Sequence, residues 1–185
     1  MNQNKKQLEK KMQEEFYVQG DQLSVVLFEI EGEQFAINLY DTKEIILAGQ
    51  IRKLPQSYEF VEGIYNYRGD IIHIINLSKK LKLHEYKTIH TNNNEDIYGT
   101  DKKYIIIVTI NKTNTGFLVD HIIDIATINT DLIEHLSPIF QTSVGIEYIK
   151  GIIKFKDRPR VLLDLSKILL EIEENLLEKE KTTQK

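Results

Sequence analysis

Side chains able to do chemistry are few and scattered in this 185-residue chain. The five histidines, His73, His84, His90, His121 and His135, show no i,i+4 ligand spacing, so they describe no metal centre. Cysteine is absent, which removes thiolate nucleophiles, disulfides and cysteine-bound zinc. The carboxylates Glu44, Glu62, Asp70 and Asp120 are not paired by spacing for acid–base work. Phosphate-cradling loops of the Gly-x-x-x-x-Gly-Lys-Ser/Thr and Gly-x-Gly-x-x-Gly kinds are missing, as is Gly-x-Ser-x-Gly. The chain therefore reads as no enzyme, with no cofactor and no metal. What stands out instead is Arg68, beside Gly69. A guanidinium on a tight turn offers carboxylates or carbonyls a fixed fork of donors, which is recognition chemistry. The same group could equally close an internal salt bridge.

The element that must position Arg68 runs from Val61 to Leu77. It reads as two apolar strands around a turn at Arg68-Gly69, rich in β-branched and aromatic residues. Gly69 is free to take φ > 0, as such turns require. Ile71 to Ile75 is apolar on both faces except at His73, which predicts a strand covered from both sides and a core or interface histidine. Tyr65 and Tyr67 share one strand face and read as packing residues. Gly63 reads as a point of close backbone approach or unusual φ.

Hydrophobic residues make up 41% and charged residues 28%, ordinary for a globular protein with a real core. Net charge is -4, so no global field favours nucleic acid or an anionic membrane. The opening Met1-Asn2-Gln3-Asn4-Lys5-Lys6 leads into more charge rather than a signal core. No apolar run approaches the roughly 20 residues that span a bilayer, and a cytoplasmic protein is expected.

In chain order, residues 1–22 form an expected helical extension with Leu8, Met12 and Phe16 on one stripe. A first subdomain, about 23–83, opens with a hairpin of Val25–Ile30 and Gln34–Leu39 around Glu31-Gly32-Glu33. Asp41 is expected to cap a helical turn through Thr42–Ile45, and Ile51–Leu54 to form a brief strand. The Arg68 hairpin follows, then a helical turn over Ser78–Leu81 capped by Asn76. A polar connector, about 84–102, leads to a second subdomain, about 103–163. There Lys103–Asn111 and Thr115–Val119 make a hairpin, and Tyr148–Phe155 and Arg160–Leu163 another. Asp164 caps a closing helix, about 164–177, with Leu165, Ile168, Leu169, Ile172 and Leu176 on one face. Residues 178–185 should fray.

The halves superpose in sequence without a gap. Val61–Leu81 matches Ile149–Leu169 at an offset of 88 (149 minus 61), with Gly63 on Gly151, Leu77 on Leu165, Ser78 on Ser166 and Asn76 on Asp164. A unit of about 80 residues with five short strands cannot cover both faces of an open sheet, and curling into a barrel removes its edges. The expectation is an all-β protein of two small five-stranded barrels sharing one core, with short helices, a C-terminal helix and the N-terminal helical extension.

Gly63-Ile64-Tyr65-Asn66-Tyr67-Arg68-Gly69, followed by Ile71–Leu77, resembles the Gly-x-x-Asn-Leu-Arg-Gly…Pro-x-x-Asp-Leu pattern of CheW-like chemotaxis coupling proteins. Phe35-Ala36-Ile37 with Glu44-Ile45, Gly116–Asp120, and Gly151 with Leu163-Asp164-Leu165 resemble other parts of that pattern, in order over about residues 23–177. Tyr67 stands where Leu is usual, His73 where Pro is usual and Asn76 where Asp is usual. The resemblance implies two intertwined five-stranded SH3-like barrels sharing a core, and a non-enzymatic adaptor that couples chemoreceptors to the histidine kinase CheA. The implied partners are the kinase's regulatory domain and the cytoplasmic tip of methyl-accepting chemoreceptors, with self-association in membrane-associated arrays left open. By position, Thr42 and Glu44 are implied to face the kinase, and Gly63 and Arg68 to serve receptor coupling. Two other readings stand beside this one. The first is a double-barrel module binding single-stranded nucleic acid through Arg52, Lys53, Arg68, Lys79 and Lys80 with the tyrosines. The second is a free-standing regulatory module of another two-component pathway.

Overall fold

The computed structural model describes residues 21–55, 57–83, 102–110, 112–135, 145–172 and 174. The expectations for nearly all of the N-terminal extension, His84, His90, Leu176, the tail and nearly all of the connector fall outside these residues. Eleven strands are described: β1 (Gln22–Ile30), β2 (Glu33–Asn38), β3 (Thr42–Leu47), β4 (Val61–Tyr67), β5 (Asp70–Asn76), β6 (Tyr104–Ile110), β7 (Thr113–Val119), β8 (His121–Asn129), β9 (Ile133–Glu134), β10 (Ile149–Ile153) and β11 (Arg160–Leu163). They form a six-stranded sheet in the order β8-β1-β2-β11-β10-β9 and a five-stranded sheet in the order β3-β6-β7-β5-β4.

Turn chemistry explains the hairpins. Glu31 and Gly32 have φ of 51° and 80°, and Arg68 and Gly69 have 54° and 94°. Each pair sits in a two-residue loop, Ile30 facing Glu33 and Tyr67 facing Asp70. Positive φ at both central residues marks the type I′ turn, whose twist matches that of the flanking strands. Asn66 Oδ1 also accepts the Gly69 N–H at 2.9 Å.

The order of strands shows how the halves combine. Removing β9, the first sheet is β8-β1-β2-β11-β10 and the second is β3-β6-β7-β5-β4, the same sequence of equivalent strands. The leading hairpins are exchanged: β1–β2 completes the sheet of β8, β10 and β11, while β6–β7 completes that of β3, β4 and β5. The equivalence holds residue by residue. Val161 pairs with Phe35 as His73 pairs with Thr115, and Asp124 pairs with Leu27 as Glu44 pairs with Ile107. The stretches 23–83 and 103–163 are thus units of sequence, and each gives strands to both sheets.

Exchange makes strands two-faced, and the apolar clusters follow the alternation of side chains. Val25, Leu27, Ala36, Ile128, Ile153 and Leu162 fill the interior of the first sheet. Tyr67, Ile72, Ile74, Ile105, Ile107 and Leu118 fill that of the second. Their neighbours in sequence, among them Val26, Phe28, Phe35, Ile75, Ile106, Val108 and Phe117, form a third cluster common to both sheets. Leu165, Ile168, Leu169 and Ile172 of the closing helix (165–172) complete it. This is the shared core.

Both helix caps lie where the sequence places them. Asn76 Oδ1 accepts the Lys79 N–H and Asp164 Oδ1 accepts the Lys167 N–H, each at 3.2 Å. The Asn76 N–H donates to Phe60 O and the Asp164 N–H to Tyr148 O, each at 2.8 Å, preserving the offset of 88. Three local expectations are corrected. Thr42–Ile45 is not a helical turn but belongs to β3, because pairing with β6 outweighs the local cap; the helical turn is the 3₁₀ segment Leu39–Asp41, capped by Asn38. Ile51–Leu54 is reduced to a single bridge between Arg52 and Ile64. The start of β5 is open on one face: Ile71 is 62% exposed and His73 is exposed, because the hairpin tip projects beyond the shared core.

Candidate functional site

Glu44 and Arg68 are 24 positions apart and meet at one end of the second barrel. β3 carries Glu44 to the sheet edge, and the type I′ turn carries Arg68 to it. An Arg68 Nη2 donates to Glu44 Oε1 at 2.9 Å and lies 2.8 Å from Oε2. The Tyr67 hydroxyl donates to the same carboxylate. The Tyr67 ring is buried with the apolar cluster of the second sheet, and Arg68 Cζ and Lys43 Nζ stand over it, 5.3 and 5.4 Å from its centroid. Glu44 is therefore held below the usual carboxylate range, first by the tyrosine hydroxyl and then by Arg68. The Tyr67 phenol is pushed up for the matching reason, since its proton is held by Glu44. Arg68 keeps 71% of its side chain in solvent. It closes an internal salt bridge and still presents donors outward.

Thr42 lies two residues before Glu44 on β3, and its Oγ1 is buried without a hydrogen-bond partner. Gly63 is placed elsewhere, on β4 under the segment at Arg52. Arg52 and Ile64 exchange both backbone hydrogen bonds at 2.9 Å. A Cβ on Gly63 would stand 2.3 Å from Arg52 O, and the residue has φ of 153°. Its counterpart Gly151 is also crowded: a Cβ there would stand 2.6 Å from an Ile133 methyl and 2.8 Å from Glu134 O. Both glycines sit at irregularities in register, between Val61 and Gly63 and between Ile149 and Gly151. Of the four predicted site residues, the structure joins Glu44 and Arg68, keeps Thr42 on the same strand as Glu44 across a shift in register, and places Gly63 apart, against the backbone at Arg52.

The other half carries the counterpart turn, with different chemistry. Phe155 stands for Tyr67, and Arg160 Cζ lies 4.3 Å over its ring. Arg160 donates to both Asp157 oxygens at 2.9 and 2.7 Å, to Gln34 at 2.9 Å and to Arg158 O at 3.4 Å. The Arg160 side chain, and after it the Arg158 backbone N–H, lower the Asp157 pKa from 3.8 to about 2. Sequence reasoning missed Tyr67, Lys43 and Arg160 as parts of these ends. The departure from Leu at Tyr67 was the available signal for the first.

A groove of about 540 Å³ opens where the β1–β2 turn approaches the Asn76–Lys80 region, floored by Ile30, Phe60 and Leu118. Several of its polar side chains are partnered: Lys80 with Glu171 at 3.1 Å, Lys103 with Asp120 at 2.9 Å, and the Ser78 hydroxyl with Glu31. Lys79 pairs with Glu62 at 3.5 Å. Three of the five cations proposed for a nucleic-acid groove, Arg68, Lys79 and Lys80, are thus tied to carboxylates, and Tyr67 is packed in the core. Among the described residues no cluster of His, Asp and Glu could hold a metal, and no helix is long and apolar enough to cross a membrane.

Residues 24–173 match the family described as the CheW-like domain. The chain belongs to that family. It is 28% identical over 151 residues to "Chemotaxis protein CheW" of Treponema pallidum, covering 82% of this chain and 84% of that protein. The protein of the same name from Thermotoga maritima is 29% identical over 154 residues, with 82% and 90% covered. Among solved structures, the scaffolding protein TtCheW from Thermoanaerobacter tengcongensis superposes with a TM-score of 0.65 at 26% identity, over 80% of this chain and 88% of that one. The two sheets are accordingly the two SH3-like barrels of the CheW fold.

Proposed function

We propose that the protein is a non-enzymatic chemotaxis adaptor that couples the cytoplasmic tips of chemoreceptors to the regulatory domain of the histidine kinase CheA, and that it works in the cytoplasm at receptor arrays. Membership of the CheW-like family supports the class of function. The observation that carries the finer reading is the Glu44–Tyr67–Arg68 cluster. It joins a position implied to face the kinase to one implied to serve the receptor, on a rigid barrel end. An adaptor needs a few directional groups to fix register beside surfaces that pack reversibly. Arg68 supplies such a group: its internal partner holds the guanidinium plane, and its exposed donors remain for a partner's carboxylates or carbonyls.

The test is co-sedimentation of the purified protein with receptor cytoplasmic fragments and CheA. Kinase is expected to enter the pellet, and its autophosphorylation to change, only when all three are present. Unchanged kinase recovery and activity on adding the protein would overturn the proposal.

A further inference from the structure

Tyr67 ends β4 and is 5% exposed, so it presents almost nothing of itself to a partner. Its ring fills space as leucine or phenylalanine would. The hydroxyl is what needs a reason, since a buried O–H requires an acceptor. That acceptor is Glu44 on β3. β3 and β4 are the two outer strands of the five-stranded sheet and are not neighbours in it. Glu44 reaches across, taking the Tyr67 O–H on Oε2 and an Arg68 Nη2 N–H on Oε1.

Arg68 engages Glu44 through Nη2 alone, 2.9 and 2.8 Å from the two oxygens, which leaves the N–H groups of Nε and Nη1 for a partner. On a side chain so exposed, a single salt bridge does little to select one rotamer. A carboxylate that is itself fixed selects better. The Tyr67 hydroxyl fixes Glu44, while the Tyr67 ring lies beneath the guanidinium. Lys43 Nζ, over the same ring, is held in turn by Asn114 Oδ1 at 3.1 Å. The other half supplies the comparison. Phe155, in the place of Tyr67, has no hydroxyl, and Arg160 above it is nearly buried with all three nitrogens bonded within the chain. The hydroxyl thus occurs in the copy whose arginine is exposed, and is missing from the copy whose arginine is already fixed.

We propose, resting on the receptor-coupling role given to Arg68 above, that Tyr67 is a positioning residue: its hydroxyl, acting through the Glu44 carboxylate, sets the direction in which Arg68 offers Nε and Nη1 to the receptor tip. A guanidinium held in place before the encounter loses less freedom on binding, and that difference appears as affinity. Support of this kind, from a side chain behind the contact residue, keeps a directional group in its working geometry.

The chain has only four arginines, Arg52, Arg68, Arg158 and Arg160, so their side-chain nitrogens are separable by NMR. Tyr67→Phe is expected to speed rotation of the Arg68 guanidinium about its Nε–Cζ bond by about fivefold, with Arg160 unmoved as the internal reference. Affinity for receptor cytoplasmic fragments, measured without kinase, should fall by about fivefold in the same variant, with the thermal midpoint within about 4 °C of the parent. In an Arg68→Ala background Tyr67→Phe should have no further effect on binding, since the hydroxyl acts only through that arginine. A tyrosine that merely packs predicts equal losses in both backgrounds. Unchanged Arg68 rotation, unchanged receptor affinity or an additive double variant would each overturn the proposal. A parent chain that binds no receptor fragment would instead overturn the receptor-coupling role itself, and is read before any variant. Tyr67→Leu also removes the hydroxyl and gives the same readings where Tyr67→Phe fails to fold.

Discussion

Gly63 offers the sharpest separation of packing from recognition. Replacing it with alanine places Cβ 2.3 Å from Arg52 O, and the crowding atom is backbone, so no side-chain rotation relieves it. The segment at Arg52 must then move away and lose both hydrogen bonds to Ile64, now 2.9 Å each. Each such bond contributes about 1 kcal/mol net. Holding a side chain at a φ of 153° adds a further ~1–3 kcal/mol of strain. The total is about 3–5 kcal/mol, which for a chain of this size lowers the thermal midpoint by roughly 6–20 °C. Gly69→Ala is the matched control: its φ is 94°, yet nothing lies within 4 Å of the added Cβ. It should cost about 1 kcal/mol, roughly 2–4 °C. The assay is thermal unfolding followed by circular dichroism, run beside receptor co-sedimentation below both midpoints. A Gly63→Ala midpoint within about 2 °C of the parent, together with lost receptor binding, would refute the close-approach argument and make Gly63 a contact residue.

Arg68→Ala should change stability by under about 1 kcal/mol, because its salt bridge is largely exposed, while kinase recovery in receptor pellets falls; a large drop in midpoint with normal recovery would make Arg68 a structural residue only. Thr42→Val removes a buried hydroxyl that has no partner and keeps its shape, so the thermal midpoint is expected to hold or rise, by up to about 1 kcal/mol of stability. Asp157, with its folded pKa lowered to about 2 from an ordinary 3.8, contributes stability that is complete above the ordinary value. That contribution is lost as pH falls from 3.8 through 2, so Asp157→Asn should flatten the acid limb of stability against pH, measured by denaturant titration, and an unchanged limb would contradict the pairing with Arg160.

Features written in neighbouring residues were legible in the sequence. Asn76 and Asp164 cap as expected because a cap needs only an acceptor and a backbone N–H three residues on. The Arg68-Gly69 turn was equally readable, since a two-residue loop demands positive φ and glycine supplies it. β3 was not readable. Asp41-Thr42-Lys43-Glu44 carries good helix-start residues, and only the distant strand β6 makes Thr42–Leu47 extended. The openness of Ile71 was hidden for a related reason: an apolar strand says that it can be covered on both faces, not how far its neighbours extend. The Glu44–Tyr67–Arg68 cluster likewise depends on an approach across the sheet that no local spacing encodes.

The exchange of hairpins explains why the two copies differ most at turns and edges. Each barrel is completed by strands from the other half, and the alternate faces of β1, β5, β6 and β7 are committed to two apolar clusters at once. A strand buried on both faces has little freedom to change without damage to two interiors. Variation between the copies therefore collects where the chain leaves the core. At one hairpin tip the tight Arg68-Gly69 turn leans on Glu44 and Tyr67. At the other, a longer Lys156-Asp157-Arg158-Pro159 loop is fixed from beneath by a nearly buried Arg160. The edge strands diverge in the same way, β3 with Lys43-Glu44 and β8 with Asp124 between two exposed isoleucines. A duplicated fold with a shared core thus presents two unlike ends and two unlike edges.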